Sequence, residues 1–582
     1  MRGFAVVVGL LLLASIVHAQ DETPQGLPAI AYRYRAYAIE AAEAGRWQDA
    51  EAILSGAVDY AGEVSDLSYL LALARLKLGR PVGSALEAVR RGLLVSRWDL
   101  YSVEKARLLE AECLIRVRAF GDALRSLGSA GYGAEVDYLS LLALRGQSDM
   151  HAYRSLMAAA LANHPRDTRF PALLFKDAAK GPPSGEVLRL VDSALKGLYF
   201  LAETDPSLVL SAQAFLRDTE ERKRLVASYR ATPAPDPLSI PIAIELGLLD
   251  ELEGIEELFS GSLISLSLLG SIHSTLRSED SRSFFGVRAN SFSGSILEDR
   301  DDDGWIESSA VYASGRLESY AHDADQDGIP ELELVFSRDL PVRGSLVFEI
   351  SGYTGENLSG VGGHSTDSGS LPSRPVDAGG PERLHLEWER YPYLERAESG
   401  STMYYFGPAS FPYSPVQLIP LYSGLPAATP RFPVPDFVSP RMTERSLVSF
   451  ALALERKGKF AADSVERIQF SKGTPWKAVE RSGGHIIAET DYRNGHPLER
   501  RLDLDADGHF ETLQRFTASD PEPDESETDL DGDGIVEYRE RLLEDGRMER
   551  SWDHDSDGTW DRVETAEPDS GIHDAGSLGA YR

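Results

Sequence analysis

Cysteine is almost absent from this chain, which has a single one, Cys113, in 582 residues. One cysteine excludes an internal disulfide, so the fold must be stabilised by other interactions. Cys113 follows Leu108 and Leu109 in a helical pattern. We therefore predict that it is a small core side chain rather than a reactive thiol.

Basic residues are scarce relative to acidic ones. The chain has 59 Lys and Arg against 92 Asp and Glu, which gives a formal net charge of −33. A surface of this sign repels the phosphate groups of nucleic acids and of anionic lipids. Neither nucleic acid nor an anionic membrane surface is expected as a partner.

Long apolar runs are missing after the N-terminus, so no integral membrane segment is expected in the mature chain. At the N-terminus, Arg2 precedes an apolar stretch from Phe4 to Val17, and Ala19 is a small residue suited to a cleavage position. Residues 1–19 are therefore interpreted as a signal peptide, with an uncleaved anchor as the alternative. The chain is expected to be exported, to a periplasmic, cell-surface or extracellular location that allows association with the cell envelope.

Recognisable catalytic motifs are lacking as well. The sequence has no His-Glu-x-x-His, no phosphate-binding glycine loop and no dinucleotide fingerprint. Its aspartate clusters have no accompanying histidine pair of the kind that binds zinc. We therefore predict a protein that is not an enzyme, with no catalytic residues and no organic cofactor.

An acidic nonapeptide, in contrast, occurs five times. Each copy fits Asp-x-Asp-x-Asp-Gly-x-x-(Asp/Glu), and the copies read DRDDDGWIE from Asp299, DADQDGIPE from Asp323, DLDADGHFE from Asp503, DLDGDGIVE from Asp529 and DHDSDGTWD from Asp553. Carboxylates this close repel one another unless a cation lies among them. Hard oxygen ligands, with a glycine that permits the tight bend, suit Ca²⁺.

The predicted bound ion is therefore Ca²⁺, held by the acids at positions one, three, five and nine of each loop. The predicted metal ligands are Asp299, Asp301, Asp303, Glu307, Asp323, Asp325, Asp327, Glu331, Asp503, Asp505, Asp507, Glu511, Asp529, Asp531, Asp533, Glu537, Asp553, Asp555, Asp557 and Asp561.

These loops differ from EF-hands, which need a bidentate Glu at position twelve between two helices. Here position twelve is Ala310, Leu334, Gln514, Glu540 or Glu564. The acid at position nine instead resembles the calcium loops of FG-GAP and VCBS repeats, and more loosely those of dockerin and thrombospondin type 3 repeats. The resemblance implies loops carried on β-hairpins. FG-GAP blades are longer than the present repeats, so a complete propeller is not implied.

The residues around the loops predict hairpins. An alternating run follows Gly328, and the turn pairs Ser314-Gly315, Asn494-Gly495 and Asp545-Gly546 precede three of the loops. The repeated unit is therefore strand, glycine turn, strand, calcium loop, strand. Its regular spacing favours a repetitive β meander, with a solenoid as the alternative.

The N-terminal half has helical periodicity and small residues at repeating positions. Gly45, Trp47, Ala50, Leu54 and Ala57 are spaced as in the second half of a tetratricopeptide repeat, which this stretch resembles. Further units are marked by Gly79 with Ala85 and Val89, by Phe120 with Ala123 and Leu127, and by Ala160 with Pro165. The resemblance implies a TPR-like α-solenoid whose groove binds a protein partner. An ordinary helical bundle is the alternative.

The predicted fold class is multidomain α + β, with the helical repeat domain followed by an antiparallel β-hairpin repeat region that carries calcium loops. The predicted divisions are a signal peptide at 1–19, the helical repeats at 27–280, the first calcium cluster at 282–345, a Gly/Ser- and Pro/aromatic-rich β or strap region at 346–465 and the second calcium cluster at 466–582.

The predicted function is that of an exported, non-enzymatic scaffold for protein–protein interaction. The alternative is a secreted glycan-binding protein or hydrolase whose β region is the working part. The Pro- and aromatic-rich segment 406–440 distinguishes the two. Aromatic side chains packed against the sheet favour the scaffold, whereas an open cleft with paired carboxylates favours the alternative.

Overall fold

A computed structural model describes residues 29–300, 303–347, 383–420, 433–438, 442, 444–503, 505–517 and 522–566. The predicted signal peptide, Asp301 and most of the Gly/Ser-rich stretch lie outside these residues. Within them the chain divides into two compact units. The first unit contains residues up to 282 together with Leu297–Glu307 and Asp323–Pro330, and the second contains Ser283–Ile296, Ser308–His322 and the residues from Glu331 onward.

The N-terminal part of the chain is helical. Its helices are α1 (Ala29–Glu43), α2 (Trp47–Ala61), α3 (Ser65–Lys77), α4 (Val82–Val95), α5 (Val103–Arg116), α6 (Phe120–Gly128), α7 (Ala134–Gly146), α8 (Met150–Asn163), α9 (Arg169–Ala179), α10 (Gly185–Leu195), α11 (Leu198–Thr204), α12 (Leu208–Ala212), α13 (Thr219–Arg230), α14 (Ser239–Glu245), α15 (Glu251–Ser260), α16 (Leu266–Thr275) and α17 (Glu279–Ala289). The boundary predicted between residues 280 and 282 therefore falls inside α17.

The first eight helices form four antiparallel pairs with the same turn. The residue that ends the turn between the two helices of each pair has a positive φ: 73° at Gly45, 65° at Gly79, 57° at Arg118 and 60° at Ser148. Glycine adopts this conformation without strain, and the two other residues show that the turn geometry is kept where glycine is absent. These pairs are TPR-like helical repeats.

The small and apolar residues of the repeat pattern lie between the helices. Ala50, Leu54 and Ala57 of α2 are at most 1 % exposed, and Ala123 and Ala160 occupy equivalent buried positions in α6 and α8. The predicted helix or two between 237 and 258 correspond to α14 and α15. Cys113 is fully buried in the helical core, and burial raises the pKa of its thiol to about 12, as expected for an inert core residue.

The rest of the described chain is mainly antiparallel β-structure. Its strands are β1 (Leu263–Ser265), β2 (Gly294–Glu298), β3 (Ser308–Ala313), β4 (Arg316–His322), β5 (Leu332–Ser337), β6 (Leu340–Val347), β7 (Arg383–Arg390), β8 (Tyr393–Ser399), β9 (Thr402–Phe406), β10 (Val416–Pro420), β11 (Pro433–Phe437), β12 (Ala451–Lys457), β13 (Val465–Ser471), β14 (Thr474–Ser482), β15 (His485–Arg493), β16 (His496–Leu502), β17 (Thr512–Arg515), β18 (Glu525–Thr528), β19 (Tyr538–Leu542), β20 (Met548–Trp552) and β21 (Arg562–Ala566). One further helix, α18 (Glu444–Phe450), precedes β12.

Strands β3 to β9 and β12 to β21 form one antiparallel meander in which each strand pairs with the next. The meander continues from β9 to β12, where Phe406 lies opposite Ala451. The strands that flank both groups of acidic loops therefore belong to one sheet. The predicted β meander is observed, and the turn pairs Ser314-Gly315 and Asn494-Gly495 close their hairpins with positive φ angles at both positions.

The Pro- and aromatic-rich segment contains a small ribbon rather than a strand of the main sheet. Strands β10 and β11 pair only with each other, from Val416 opposite Phe437 to Pro420 opposite Pro433. Phe411, just before the ribbon, is buried and stacks on Phe450 with ring centroids 4.6 Å apart. Within the described residues, the segment thus packs as a strap inside the second unit; Tyr422 and Phe432 lie outside them.

The C-terminal end of the sheet is thin. In β19, β20 and β21 nearly all side chains are half-buried or exposed. Cross-strand ion pairs replace a core here, such as Arg550 to Glu540 at 2.9 Å. The guanidinium groups of Arg539 and Arg562 also lie 4.9 Å from the ring centroids of Trp560 and Trp552.

Candidate metal centres

The five acidic loops share a backbone conformation at their described positions. The glycine at position six has a φ between 84° and 97° in every loop, at Gly304, Gly328, Gly508, Gly534 and Gly558. Position four is also left-handed where it is described, at Gln326, Ala506, Gly532 and Ser556. This repeated conformation folds the chain back so that side chains from both halves of a loop point to its centre.

Two ligand carboxylates also hold the loop backbone. In every loop the N–H of the position-six glycine donates to Oδ2 of the first Asp at 2.8–3.0 Å. The N–H of position seven donates to Oδ1 of the Asp at position five, for example Ile535 to Asp533 at 2.8 Å. Each of these carboxylates keeps acceptor capacity for an ion.

The acid at position nine closes the loop from the other side. Glu307, Glu537 and Asp561 accept the backbone N–H of position two, from Arg300, Leu530 and His554, at 2.7–2.8 Å. In these three loops the acid at position nine is therefore hydrogen-bonded to its own loop. An EF-hand instead has its closing Glu at position twelve.

Carboxylate oxygens converge in four of the loops. Within each group the ligand atoms lie within 4.8 Å of one another, and the groups are Asp503, Asp505, Asp507 and Glu511; Asp529, Asp531, Asp533 and Glu537; Asp323, Asp325 and Glu331; and Asp553, Asp555 and Asp557.

Two predicted ligands lie in their loops without joining these groups. Asp327 accepts the N–H of Ile329 at 2.6 Å, and Asp561 accepts that of His554 at 2.8 Å. In the first loop Asp299, Asp303 and Glu307 are described, and Asp301 lies outside the described residues.

The electrostatics of the loops suit a bound cation. Burial, together with the charges of Asp327 and Asp325, raises the pKa of Asp323 to about 6. The charge of Asp557 raises the pKa of the exposed Asp555. Asp503 is 1 % exposed, and its Oδ1 is buried without a hydrogen-bond partner, in a residue whose carboxylate belongs to a group of four converging acids. A buried carboxylate oxygen without a partner is costly unless an ion satisfies it.

Neighbouring loops are joined by a repeated backbone contact. The N–H of the first Asp of one loop donates to the C=O of the position-nine Glu of the loop before it, at 2.7 Å for Asp323 to Glu307, 2.8 Å for Asp529 to Glu511 and 2.9 Å for Asp553 to Glu537. We call this series of contacts the loop ladder.

One histidine beside the loops is part of the packed interior: His322 is 4 % exposed. Its Nδ1 lies 2.7 Å from the hydroxyl of Ser308, and its ring stacks on Phe437 with centroids 3.9 Å apart. His322 ends a strand whose alternation places it on the buried face, which is the signal that could have identified it.

Part of the helical surface is occupied by the chain itself. Asp66 at the start of α3 is fully buried, and its carboxylate accepts N–H groups of Leu100 and Tyr101 at 2.9 and 3.1 Å. The guanidinium of Arg35 donates to the same carboxylate at 2.6 Å and bridges it to Asp99. The segment between α4 and α5 is thus held against the helices by the buried carboxylate of Asp66.

Together these features define a protein with TPR-like helical repeats and an antiparallel β meander whose acidic loops have converging carboxylates. Among the described residues, no helix has both the length and the apolarity needed to cross a membrane. No family model matches the chain. The chain is 23 % identical to an uncharacterised protein of Treponema pallidum (strain Nichols), over 86 % of this chain and 74 % of that protein.

Several solved structures resemble part of the chain. MamA from Desulfovibrio magneticus RS-1 is 15 % identical with a TM-score of 0.27, over 31 % of this chain and 99 % of that one. PilW, a type IV pilus biogenesis factor, is 13 % identical with a TM-score of 0.29, over 35 % and 94 %. YrrB, a TPR protein with an unusual peptide-binding site, is 14 % identical with a TM-score of 0.26, over 32 % and 91 %. Because these TM-scores are below 0.5, the repeat architecture is concluded from the helix pairs of this chain alone.

Proposed function

We propose that the chain is an exported, non-enzymatic scaffold that binds protein partners through its helical repeats and is stabilised by Ca²⁺ in its acidic loops. The observation that supports the calcium part is the convergence of carboxylate oxygens in four loops that share a left-handed glycine at position six, together with the buried Oδ1 of Asp503 that has no hydrogen-bond partner. Carboxylate oxygens supplied wholly by the protein suit Ca²⁺ better than Mg²⁺, which usually keeps several waters.

The thin end of the sheet explains why such a scaffold needs the ion. Strands β19 to β21 bury little apolar surface, and the chain has no disulfide to compensate. A dissociation constant of about 10⁻⁴ to 10⁻³ M is sufficient for an extracellular module. At a hundredfold excess over the dissociation constant, one bound ion stabilises the folded state by about 2.7 kcal/mol.

The helical part supports the partner-binding side of the proposal. Stacked helix pairs present an extended surface made from many repeats, which suits a peptide or a protein surface rather than a small substrate. The alternative of a glycan-binding protein or hydrolase loses its main support, because Phe411 is packed in the strap and Phe437 stacks on His322 instead of lining an open cleft.

Calcium titration of the purified chain tests the proposal. We expect calorimetry to detect Ca²⁺ uptake at millimolar concentrations or below, and EDTA to lower the melting temperature of the β-structure. Replacing Asp503→Asn, Asp529→Asn and Asp553→Asn together removes the first ligand of three loops, and we expect most of the heat of binding to be lost. Asp192→Asn in α10 is the matched control, since it removes an exposed acid outside the loops.

Two results would contradict the proposal. An absence of heat at millimolar Ca²⁺, together with equal melting in calcium and in EDTA, would reject the calcium part. Recovery of the protein from the cytoplasm after cell fractionation would reject the export part.

A further inference from the structure

Two of the acidic loops belong to the helical unit. The segments Leu297–Glu307 and Asp323–Pro330, which contain nearly all of the first two loops, group with the helices rather than with the strands they connect. The sequence-based division placed both loops in a β region at 282–345. Their contacts inside the first unit show what they do there.

The first loop contributes an aromatic side chain to the helical core. Trp305, at position seven, packs against the buried cluster formed by α5, α6 and α7, which includes Leu114 and Ile115. The guanidinium of Arg116, the last residue of α5, lies 5.0 Å from the centre of its ring. The backbone N–H of Trp305 donates to Oδ1 of Asp303 at 2.9 Å. The carboxylate of Asp303, a predicted calcium ligand, thus fixes the backbone of the tryptophan that packs on the helices.

The second loop caps a helix. The backbone N–H of Val82, in the first turn of α4, has no partner within the helix, and the residue before it, Pro81, provides no side-chain cap. The C=O of Asp327 accepts this N–H. Asp327 is held in turn by its own N–H, which donates to Asp323 at 3.1 Å and to Asp325 at 3.2 Å.

The same loop lies close to two turns of the helical repeats. A Cβ at Gly328 would come within 3.1 Å of Cα of Pro81, so glycine is required for this approach as well as for its φ of 88°. The guanidinium of Arg118, in the turn between α5 and α6, donates to the C=O of Ala324 at 3.5 Å. The second loop thus contacts the turns of two successive repeats.

We infer that the loops at Asp299–Glu307 and Asp323–Glu331 are calcium-dependent braces of the helical repeats. This inference rests on the proposed binding of Ca²⁺ and extends it to the helical unit. Without an ion, the crowded carboxylates repel one another, and the backbone of Trp305 and Asp327 loses its fixed position. With an ion, the first loop, which packs on α5, α6 and α7, and the second loop, which caps α4, are each formed more often, so the helices that they contact open less often.

Hydrogen exchange of the full chain, followed by mass spectrometry in Ca²⁺ and in EDTA at equal ionic strength, tests the inference. We expect calcium to slow exchange in peptides covering 79–95 and 111–120. At a calcium concentration ten times the dissociation constant, linkage gives a roughly tenfold reduction of the opening equilibrium. The double variant Asp323→Asn/Asp325→Asn should lose the protection of 79–95, whereas Asp529→Asn/Asp531→Asn should keep it.

A pair of tryptophan variants separates ion binding from bracing. Trp305→Ala leaves every ligand of the first loop in place and should lose the calcium-dependent protection of 111–120. Trp560→Ala is the matched control, because this residue lies in the fifth loop beside Arg539. If calcium protects 529–537 but leaves 79–95 and 111–120 unchanged, the bracing inference is overturned while the proposed calcium binding stands. If calcium changes exchange in neither region, both are rejected.

Discussion

Glu110 joins three consecutive helices through a single buried carboxylate. It lies in α5 with a side chain that is 8 % exposed, and it accepts hydrogen bonds from Arg90 of α4 at 3.2 Å, Arg107 of α5 at 2.8 Å and Ser126 of α6 at 2.8 Å. Burial alone would raise the pKa of Glu110, but the bonds from Ser126, Arg107 and Arg90 outweigh it and lower the pKa below its ordinary value.

Glu110→Gln should therefore destabilise the protein in a pH-dependent way. The variant keeps the shape and loses the charge, which should cost about 1.5–3 kcal/mol at neutral pH. Because the folded-state pKa is depressed, this stabilisation is fully present above the ordinary pKa of about 4.3 and is lost as the pH falls through the lower folded-state value. Denaturant unfolding of both proteins between neutral and acidic pH measures the difference.

The control for this prediction is Glu87→Gln. Glu87 faces Arg91 on the same helix at 3.7 Å with a side chain that is 63 % exposed, so its removal should cost no more than about 0.5 kcal/mol. Equal costs for the two variants, or a Glu110 effect that stays constant down to strongly acidic pH, would show that the buried network does not carry the stabilisation.

The loop ladder is the main feature at the scale of elements. Each of its contacts connects the first ligand of one loop to the last ligand of the loop before it, as in Asp553 to Glu537 at 2.9 Å. In the last pair a side chain contributes too, since the hydroxyl of Ser556 donates to Oε1 of Glu537 at 3.4 Å. Ordering one loop therefore also positions the acid at position nine of its neighbour, so we expect the two proposed ion sites to be coupled.

Disabling the fifth loop should consequently weaken the fourth. We expect Asp553→Asn/Asp555→Asn to raise the calcium concentration needed to protect residues 529–537 from hydrogen exchange by about five- to tenfold, which corresponds to a coupling of about 1–1.4 kcal/mol. Protection of residues 323–331 in the same variant is the internal control and should not change. Unchanged protection of 529–537 would mean that the ladder does not couple ion binding.

Local patterns explain which elements the sequence could predict. The glycine turns at Gly315 and Gly495, the loop glycines and the buried positions Ala50 and Leu54 depend on a few neighbouring residues, and all were placed correctly. The alternation of β4 likewise extends to His322 and places it on the buried face, whereas its packing partner Phe437 is far away in sequence and could not be identified from it.

Contacts between distant segments explain what the sequence could not predict. Trp305 looks like an ordinary loop residue, and only the fold shows that it packs against helices almost two hundred positions earlier. The ribbon of β10 and β11 could not be predicted either, because its prolines argue against a strand. Among the described residues, Pro420 and Pro433 lie opposite each other in a sheet of these two strands alone. A pattern within one segment contains no information about such partners.

Charge is the property that acts on the whole molecule. The formal net charge is −33, and five bound Ca²⁺ would add ten positive charges, two from each ion, to leave −23. Self-repulsion of this size destabilises a compact state, and salt reduces it by screening. Salt also weakens cross-strand ion pairs such as Arg515 to Glu525 at 2.9 Å, which are present with or without the ion.

The ion-free protein should therefore gain more from salt than the calcium-loaded protein. Raising NaCl from about 10 mM to about 150 mM shortens the screening length from about 30 Å to about 8 Å, which weakens repulsion between loop carboxylates most where no cation lies among them. We expect the melting temperature in EDTA to rise over this range, and the melting temperature in saturating Ca²⁺ to rise less or to fall. Ion pairs are lost equally in both series, so the difference between the two slopes reports the repulsion that calcium removes. Equal slopes would show that the acidic loops are already relieved of repulsion without an ion.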